Sequence, residues 1–394
     1  MAKKNSKKTV PELRFRGFTD PWEQRQLGEV VVRRSAQAIS TEDMPSVEYE
    51  DVEAGRGALA RDFTSKEGKR GICFEPGDVL YGKLRPYLGN RLKPGFRGVA
   101  VGDWWVLAPS SVASSFLFSL IQSPRFITIA NQSSGSKMPR ADWELVGSAA
   151  FGIPSLPEQR RIGVFFSTLD SLIAAAERQE TLLKQKKQAY LQLMFPREGE
   201  TQPRLRFSGF SEDWEQRRSS EQFVPVKENG HSDLPVLSAT QSEGMVYRDD
   251  QSRDIKFKTD NLSSYKLVRA GDFVISLRSF QGGFELSDKT GIVSPAYTVF
   301  THAECSSQDN AYWKQYFKRK SFIESLKTVT FGIRDGKTIS FSDFSSLKCI
   351  FPSLPEQRRI GEFFTTLDNL IAATEERTRA LKEMKSAYLQ RMFV

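Results

Sequence analysis

Apolar residues recur at helical spacing in two long segments of the chain. Ile162, Phe165, Leu169, Leu172, Ala176, Leu183, Tyr190 and Leu193 fall three, four or seven positions apart. Ile360, Phe363, Leu367, Leu370, Thr374, Leu381, Met384 and Tyr388 repeat the pattern. Such spacing predicts a coiled-coil seam, interrupted by polar Gln179 and Arg377 at equivalent places. Each segment opens on Ser-Leu-Pro-Glu (Ser155 to Glu158, Ser353 to Glu356), the form of a capping box with proline in the first turn. A helix of ~38 residues rises about 57 Å, too long to bury itself in one small domain. Each therefore needs a partner, and antiparallel pairing of the two copies would relate two modules by a pseudo-two-fold axis.

The helices belong to a larger repeat. Pro154 to Phe195 recurs as Pro352 to Phe393, with 29 of 42 positions identical. A shorter head, Leu13-Arg-Phe-Arg-Gly-Phe-Thr-Asp-Pro-Trp-Glu-Gln-Arg25, recurs as Leu205-Arg-Phe-Ser-Gly-Phe-Ser-Glu-Asp-Trp-Glu-Gln-Arg217. The inserts between head and tail share almost nothing. Solenoid repeats run to about 20–50 residues, so this is a tandem duplication of a whole module. The chain divides into an N-terminal segment with the first head (1–27), a first insert (28–153), a central repeated helix (154–196), a linker with the second head (197–222), a second insert (223–351) and a C-terminal repeated helix (352–394).

The inserts alternate short apolar runs with turn signals, as mixed domains do, so the fold class expected is α+β. In the first, Pro76-Gly77-Asp78 predicts a turn leading into a short strand and then a basic loop. Arg269-Ala-Gly-Asp-Phe-Val-Ile-Ser-Leu-Arg278 parallels it in the second. Ser115–Ile121 and Trp313–Leu326 read as helices.

Composition narrows the chemistry. Three cysteines and two histidines, all scattered, leave little for disulfides, Cys or His metal sites, or histidine general-base work, and they fit a reducing cytoplasm. No apolar stretch approaches the ~18–20 residues of a membrane span, and the polar, basic start predicts no signal peptide. Net charge is +9, yet the first insert has 15 basic against 14 acidic residues and the second 17 against 15. A polyanion would have to be held by local clusters. Gly332-Ile-Arg-Asp-Gly-Lys-Thr338 misses the phosphate-loop spacing by one residue and reads better as a basic turn.

Three clusters qualify. Lys83, Arg85 and Tyr87 lie in Tyr81-Gly-Lys-Leu-Arg-Pro-Tyr87, where alternate positions project from one face of an extended segment. Lys137 and Arg140 in the first insert, and Arg334 and Lys337 in the second, each lie roughly twenty residues before a capping box. Arginine can read guanine edges and both types grip phosphate; a solvated loop is the competing reading.

The head, the run Gly77-Asp-Val-Leu-Tyr-Gly-Lys-Leu-Arg-Pro-Tyr87 and the doubled Pro-Ser-Leu-Pro-Glu-Gln-Arg-Arg-Ile-Gly tail together resemble the specificity (S) subunit of type I restriction–modification systems. The resemblance implies two target-recognition domains, each reading half of a bipartite double-stranded DNA site. Two long antiparallel helices would separate them and dock two methylation (M) subunits. Restriction (R) subunits would complete the complex. It implies no catalysis in this chain, with S-adenosylmethionine, ATP and Mg2+ used by the other subunits. DNA contact would fall to Lys83, Arg85, Tyr87, Lys137, Arg140, Arg278, Arg334 and Lys337. The second insert lacks the Gly-Lys-Leu-Arg-Pro run, having Ser276-Leu-Arg-Ser-Phe-Gln-Gly-Gly283, which leaves Arg278 the less secure member. The alternative from another class is a coiled-coil scaffold with two protein-binding domains.

Overall fold

The computed structural model describes residues 10–60, 62–132, 138–240, 244–250, 259–276, 283–329 and 339–393. It comprises two compact units, Met1–Glu177 with Glu376–Val394, and Arg178–Glu375. The divisions fall inside the two tail helices, Leu156–Leu193 and Leu354–Met392, so each unit holds half of each.

In the first unit the head strand Glu23–Gln26 pairs antiparallel with Ala150–Ile153 and closes the insert at its base. Above it lie two four-stranded sheets. One runs in the order Gln37–Ile39, Arg70–Phe74, Gly98–Ala100, Ser46–Val47, and the other Val31–Arg34, Trp104–Pro109, Val79–Gly82, Arg91–Leu92. Val79–Gly82 is buried on both faces, because a strand sends alternate side chains to opposite sides. Val79 and Tyr81 join one core with Trp105 and Phe126, whereas Leu80 joins a second with Phe74 and Trp104.

The second unit repeats the base and one four-stranded sheet (Phe223–Pro225, Thr298–His302, Phe273–Ile275, Phe284–Leu286) with other residues, beside two two-stranded pairs. Glu215–Arg218 pairs with Lys348–Phe351 at the base. The strand Phe273–Ile275 sends Phe273 and Ile275 into an aromatic core and Val274 into a smaller one. Its turn matches that of the first insert: Gly271 has φ +99° and Gly77 +95°, a region open to glycine. The helix expected over 313–326 is two, Asn310–Lys318 and Lys320–Leu326, broken at Arg319 in extended conformation.

The frame is what the repeated residues build. Arg14 Nε and Nη2 donate to both carboxylate oxygens of Glu158, at 2.6 and 2.7 Å, and Arg206 does the same to Glu356, at 2.7 Å each. The glutamates read as helix caps thus serve the head arginines. Gln159 donates to Pro154 O and accepts from Ala113 N, and Gln357 repeats this with Pro352 and Asp309. Gly163 and Gly361 are required by close approach: a Cβ would lie 2.1 Å from Ser115 Oγ or 2.5 Å from Asp309. Leu13 N donates to Arg391 O, and Leu205 N to Leu193 O.

The tail helices pair antiparallel in each unit. In the first, Phe165 packs on Tyr388 (5.0 Å between ring centres), Asp170 pairs with Lys385 (2.5 Å) and Glu177 with Lys382 (2.7 Å). In the second, Phe363 packs on Tyr190 (5.1 Å), Asp368 pairs with Lys187 (2.6 Å) and Glu375 with Lys184 (2.6 Å). These are the same contacts with the two copies exchanged. Ile162, Leu169, Ile360 and Leu367 are buried, and Leu183 and Leu381 half-buried, as the seam requires. Leu172, Leu193, Leu370 and Met384 are corrections: they stay 42%, 39%, 51% and 45% exposed. The seam alternates strictly by four and three, through Phe166, Ile173, Phe364 and Ile371, which turns Leu172 and Leu370 one residue off the buried face.

Candidate nucleic-acid interface

The basic loop of the first insert leaves the doubly buried strand at Gly82. That residue must be glycine, since a Cβ would sit 2.8 Å from Asn90 Cβ and from the Tyr49 ring. The strand start is pinned by buried Asp78, which accepts from Arg34 at 2.7 and 3.2 Å and from Glu75 N at 2.8 Å. A rigid strand therefore delivers Lys83 and Arg85 to a fixed place.

The fold joins two clusters that the sequence holds 55 residues apart. Leu84 and Arg140 form an antiparallel bridge. Arg85 N donates to Pro139 O (2.8 Å), and Ala141 N to Lys83 O (2.8 Å). Lys83, Arg85, Tyr87 and Arg140 consequently share one edge of the insert. Arg85 has φ +49°, the one non-glycine residue with positive φ among those described. For a bulky side chain this backbone costs about 1–3 kcal/mol, the kind of strain found where a fold holds a residue for a purpose. Pro86 then starts a short 3-10 turn that leaves Tyr87 exposed at 61%. Among the described residues, Arg85 and Tyr87 have no side-chain partner.

Two residues of this edge escaped the sequence reading. Asp103 holds Lys83 Nζ at 3.5 Å and Arg140 Nη2 at 3.1 Å. The Tyr49 hydroxyl donates to the Asp103 carbonyl and accepts from Leu84 N at 3.1 Å. Burial pushes the Tyr49 phenol up to about 12, so it stays a donor at any physiological pH. The sequence around them, a Gly102-Asp103 turn ahead of Trp104-Trp105, gives no sign of either contact. Lys137, Arg278, Arg334 and Lys337 lie outside the described residues, as does the glycine-flanked basic turn at 332–338.

Among the described residues no group of three or more His, Cys, Asp or Glu is placed to hold a metal ion. No helix among them is long and apolar enough to cross a membrane.

The family model described as Type I restriction modification DNA specificity domain matches residues 217–383, from within the second head strand through the second insert and most of its tail. The first half carries the same head, tail and frame contacts. Residues 217–383 thus carry a type I restriction modification DNA specificity domain. It is 21% identical over 407 aligned residues to the specificity subunit of the type I restriction enzyme MjaVIII from Methanocaldococcus jannaschii, covering 93% of this chain and 90% of that one. Its fold is similar to the type I restriction–modification S subunit from M. genitalium, with TM-score 0.60 at 10% identity over 98% of this chain and 99% of that one. It is also similar to a chain from a structure concerned with complex assembly and conformational transition of the type I R-M system. There the TM-score is 0.52 at 20% identity, covering 94% of this chain and 97% of that one. The edge carrying Lys83, Arg85 and Arg140 is the exposed basic cluster of the first insert.

Proposed function

We propose that this chain reads a bipartite double-stranded DNA site, one half through each insert, and confers that specificity on methylation and restriction subunits that dock on its tail helices. The observation that carries the reading is the Leu84–Arg140 bridge, which gathers three cations onto one edge of an insert of near-neutral charge. A local cluster is what a near-neutral domain needs to grip a polyanion. Arginine supplies bidentate contact to guanine, and exposed Tyr87 offers a flat face beside it. Arg278, Arg334 and Lys337 serve the second half-site, and Lys137 serves the first. Exposed Leu172 and Leu370 lie at equivalent places on the two helices, as docking of two like subunits would use. Methyl transfer, ATP hydrolysis and cleavage, with S-adenosylmethionine, ATP and Mg2+, belong to those partners.

Salt titration of DNA binding tests the site. Alanine at a phosphate-contacting lysine should weaken binding to all sequences and reduce the salt slope by about one unit. Alanine at a base-reading arginine should relax discrimination at one position, at a cost of roughly 1–3 kcal/mol. If alanine at Arg85, Arg140 and Arg334 leaves affinity, slope and motif unchanged, these loops are merely solvated.

A further inference from the structure

A carboxylate sits among the cations of the first insert. Asp103 places one oxygen 3.5 Å from Lys83 Nζ and the other 3.1 Å from Arg140 Nη2, with its side chain about a quarter exposed at 27%. Its position is built. Its carbonyl accepts from Lys83 N at 2.9 Å and from the Tyr49 hydroxyl, and the Tyr49 ring packs edge-on against buried Trp104 at 4.6 Å. Gly102, at φ +99°, turns the backbone just before it. The carboxylate is therefore held at the edge by the same bonds that fix Lys83 and Leu84.

A surface made only to grip phosphate would exclude such a group. One negative charge near a phosphate, at about 4 Å in water, lowers affinity by a factor of roughly five. That penalty is removed only where the DNA offers the carboxylate a hydrogen-bond donor. In the major groove the donors are exocyclic amines, above all cytosine N4. Ion pairs of this exposure are weak, so Lys83 and Arg140 can turn to phosphates when DNA arrives.

We propose that Asp103 is a specificity-determining residue of the first half-site: it orders Lys83 and Arg140 in the free chain, and on DNA it accepts from an exocyclic base amine while those cations move to phosphates. This rests on the reading of the Lys83–Tyr87 loop as a DNA interface. Sequences without an amine at that position leave the carboxylate facing a polyanion unpaired, and they are rejected.

The test uses the full chain with two probes: a short duplex lacking the recognised motif, and a pool of randomised duplexes sequenced after binding. Asp103→Asn should bind the motif-free duplex roughly fivefold more tightly. It should steepen the salt slope by about one unit, because one negative charge leaves an edge that faces phosphate. The selected motif should lose its preference at one position of one half only. Asp103→Glu, which keeps the charge, should stay near the parent on the motif-free duplex. If Asp103→Asn fails to fold, Asp103→Ser carries the same expectations. If Asp103→Asn leaves affinity, slope and motif unchanged while Arg85→Ala alters them, Asp103 is a surface ion-pair partner and the inference falls alone. If Arg85→Ala is equally silent, the interface reading falls and takes this inference with it.

Discussion

Arg14 and Glu158 lie 144 residues apart and form a two-pronged ion pair that Arg206 and Glu356 reproduce in the second unit. The Glu158 side chain is fully buried and that of Arg14 nearly so. The pair ties each head to the start of its tail helix, and it explains why head and tail were duplicated together while the inserts diverged.

Breaking this pair from one side should be severe. Arg14→Ala strands a buried carboxylate, and we expect a loss of about 3–5 kcal/mol. Arg14→Met combined with Glu158→Met removes both charges and should recover most of it. Urea midpoints of the three proteins check this. A double variant as unstable as Arg14→Ala would show that the pair acts through something other than its buried charge.

His302 should make stability fall with acid. The ring is buried against Phe223 at 4.9 Å and Phe273 at 5.6 Å, and burial pushes its pKa down to about 4. The unfolded chain takes up the proton first, near 6.5. The native state is thus at full strength above pH ~6.5 and loses up to roughly 3 kcal/mol as pH falls toward 4. His302→Phe should flatten that part of the profile of melting temperature against pH. Parallel profiles for the two proteins would contradict the assignment.

The exchanged helix contacts predict self-pairing of a half-length chain. In residues 198–394 alone, Asp368 would meet Lys385, and Glu375 Lys382, of a second copy. Leu389, Met392 and Phe393 would replace Leu191, Met194 and Phe195 in the aromatic core. Light scattering should report a dimer. Lys385→Glu should shift it toward monomer, and adding Asp368→Lys should restore it. A half-chain that stays monomeric would remove this reading of the symmetry.

Helix length should set the spacing of the half-sites. Deleting one heptad from each tail helix shortens it by about 10 Å, or about three base pairs at 3.4 Å each. The spacer of the recognised site should shorten accordingly. An unchanged spacer in a folded protein would mean that the helices are no ruler.

The duplicated frame and the antiparallel helices were legible in the sequence because repeats and heptads are local signals. Phe165 and Phe166 are adjacent and both apolar, so periodicity alone could not choose between them, and the seam was read one residue off at Leu172 and Leu370. The roles of Glu158 and Glu356 were hidden for another reason. A capping box looks the same whether its glutamate turns back to the helix or out to an arginine 144 or 150 residues away. Lys83, Arg85 and Arg140 could be picked out as residues, but their union depends on the Leu84–Arg140 bridge, a long-range pairing with no sequence signature. Asp103 was missed because an acidic residue in a turn before two tryptophans carries no sign of the cations it will face.

On the proposed function, each insert reads its own half-site within a common frame. Replacing residues 28–153 with the insert of another specificity subunit, and mapping the methylated motif across the genome in cells carrying the partner subunits, tests it directly. The motif should change in one half and keep the other, with the spacer intact. A change in both halves, or in neither, would contradict independent reading.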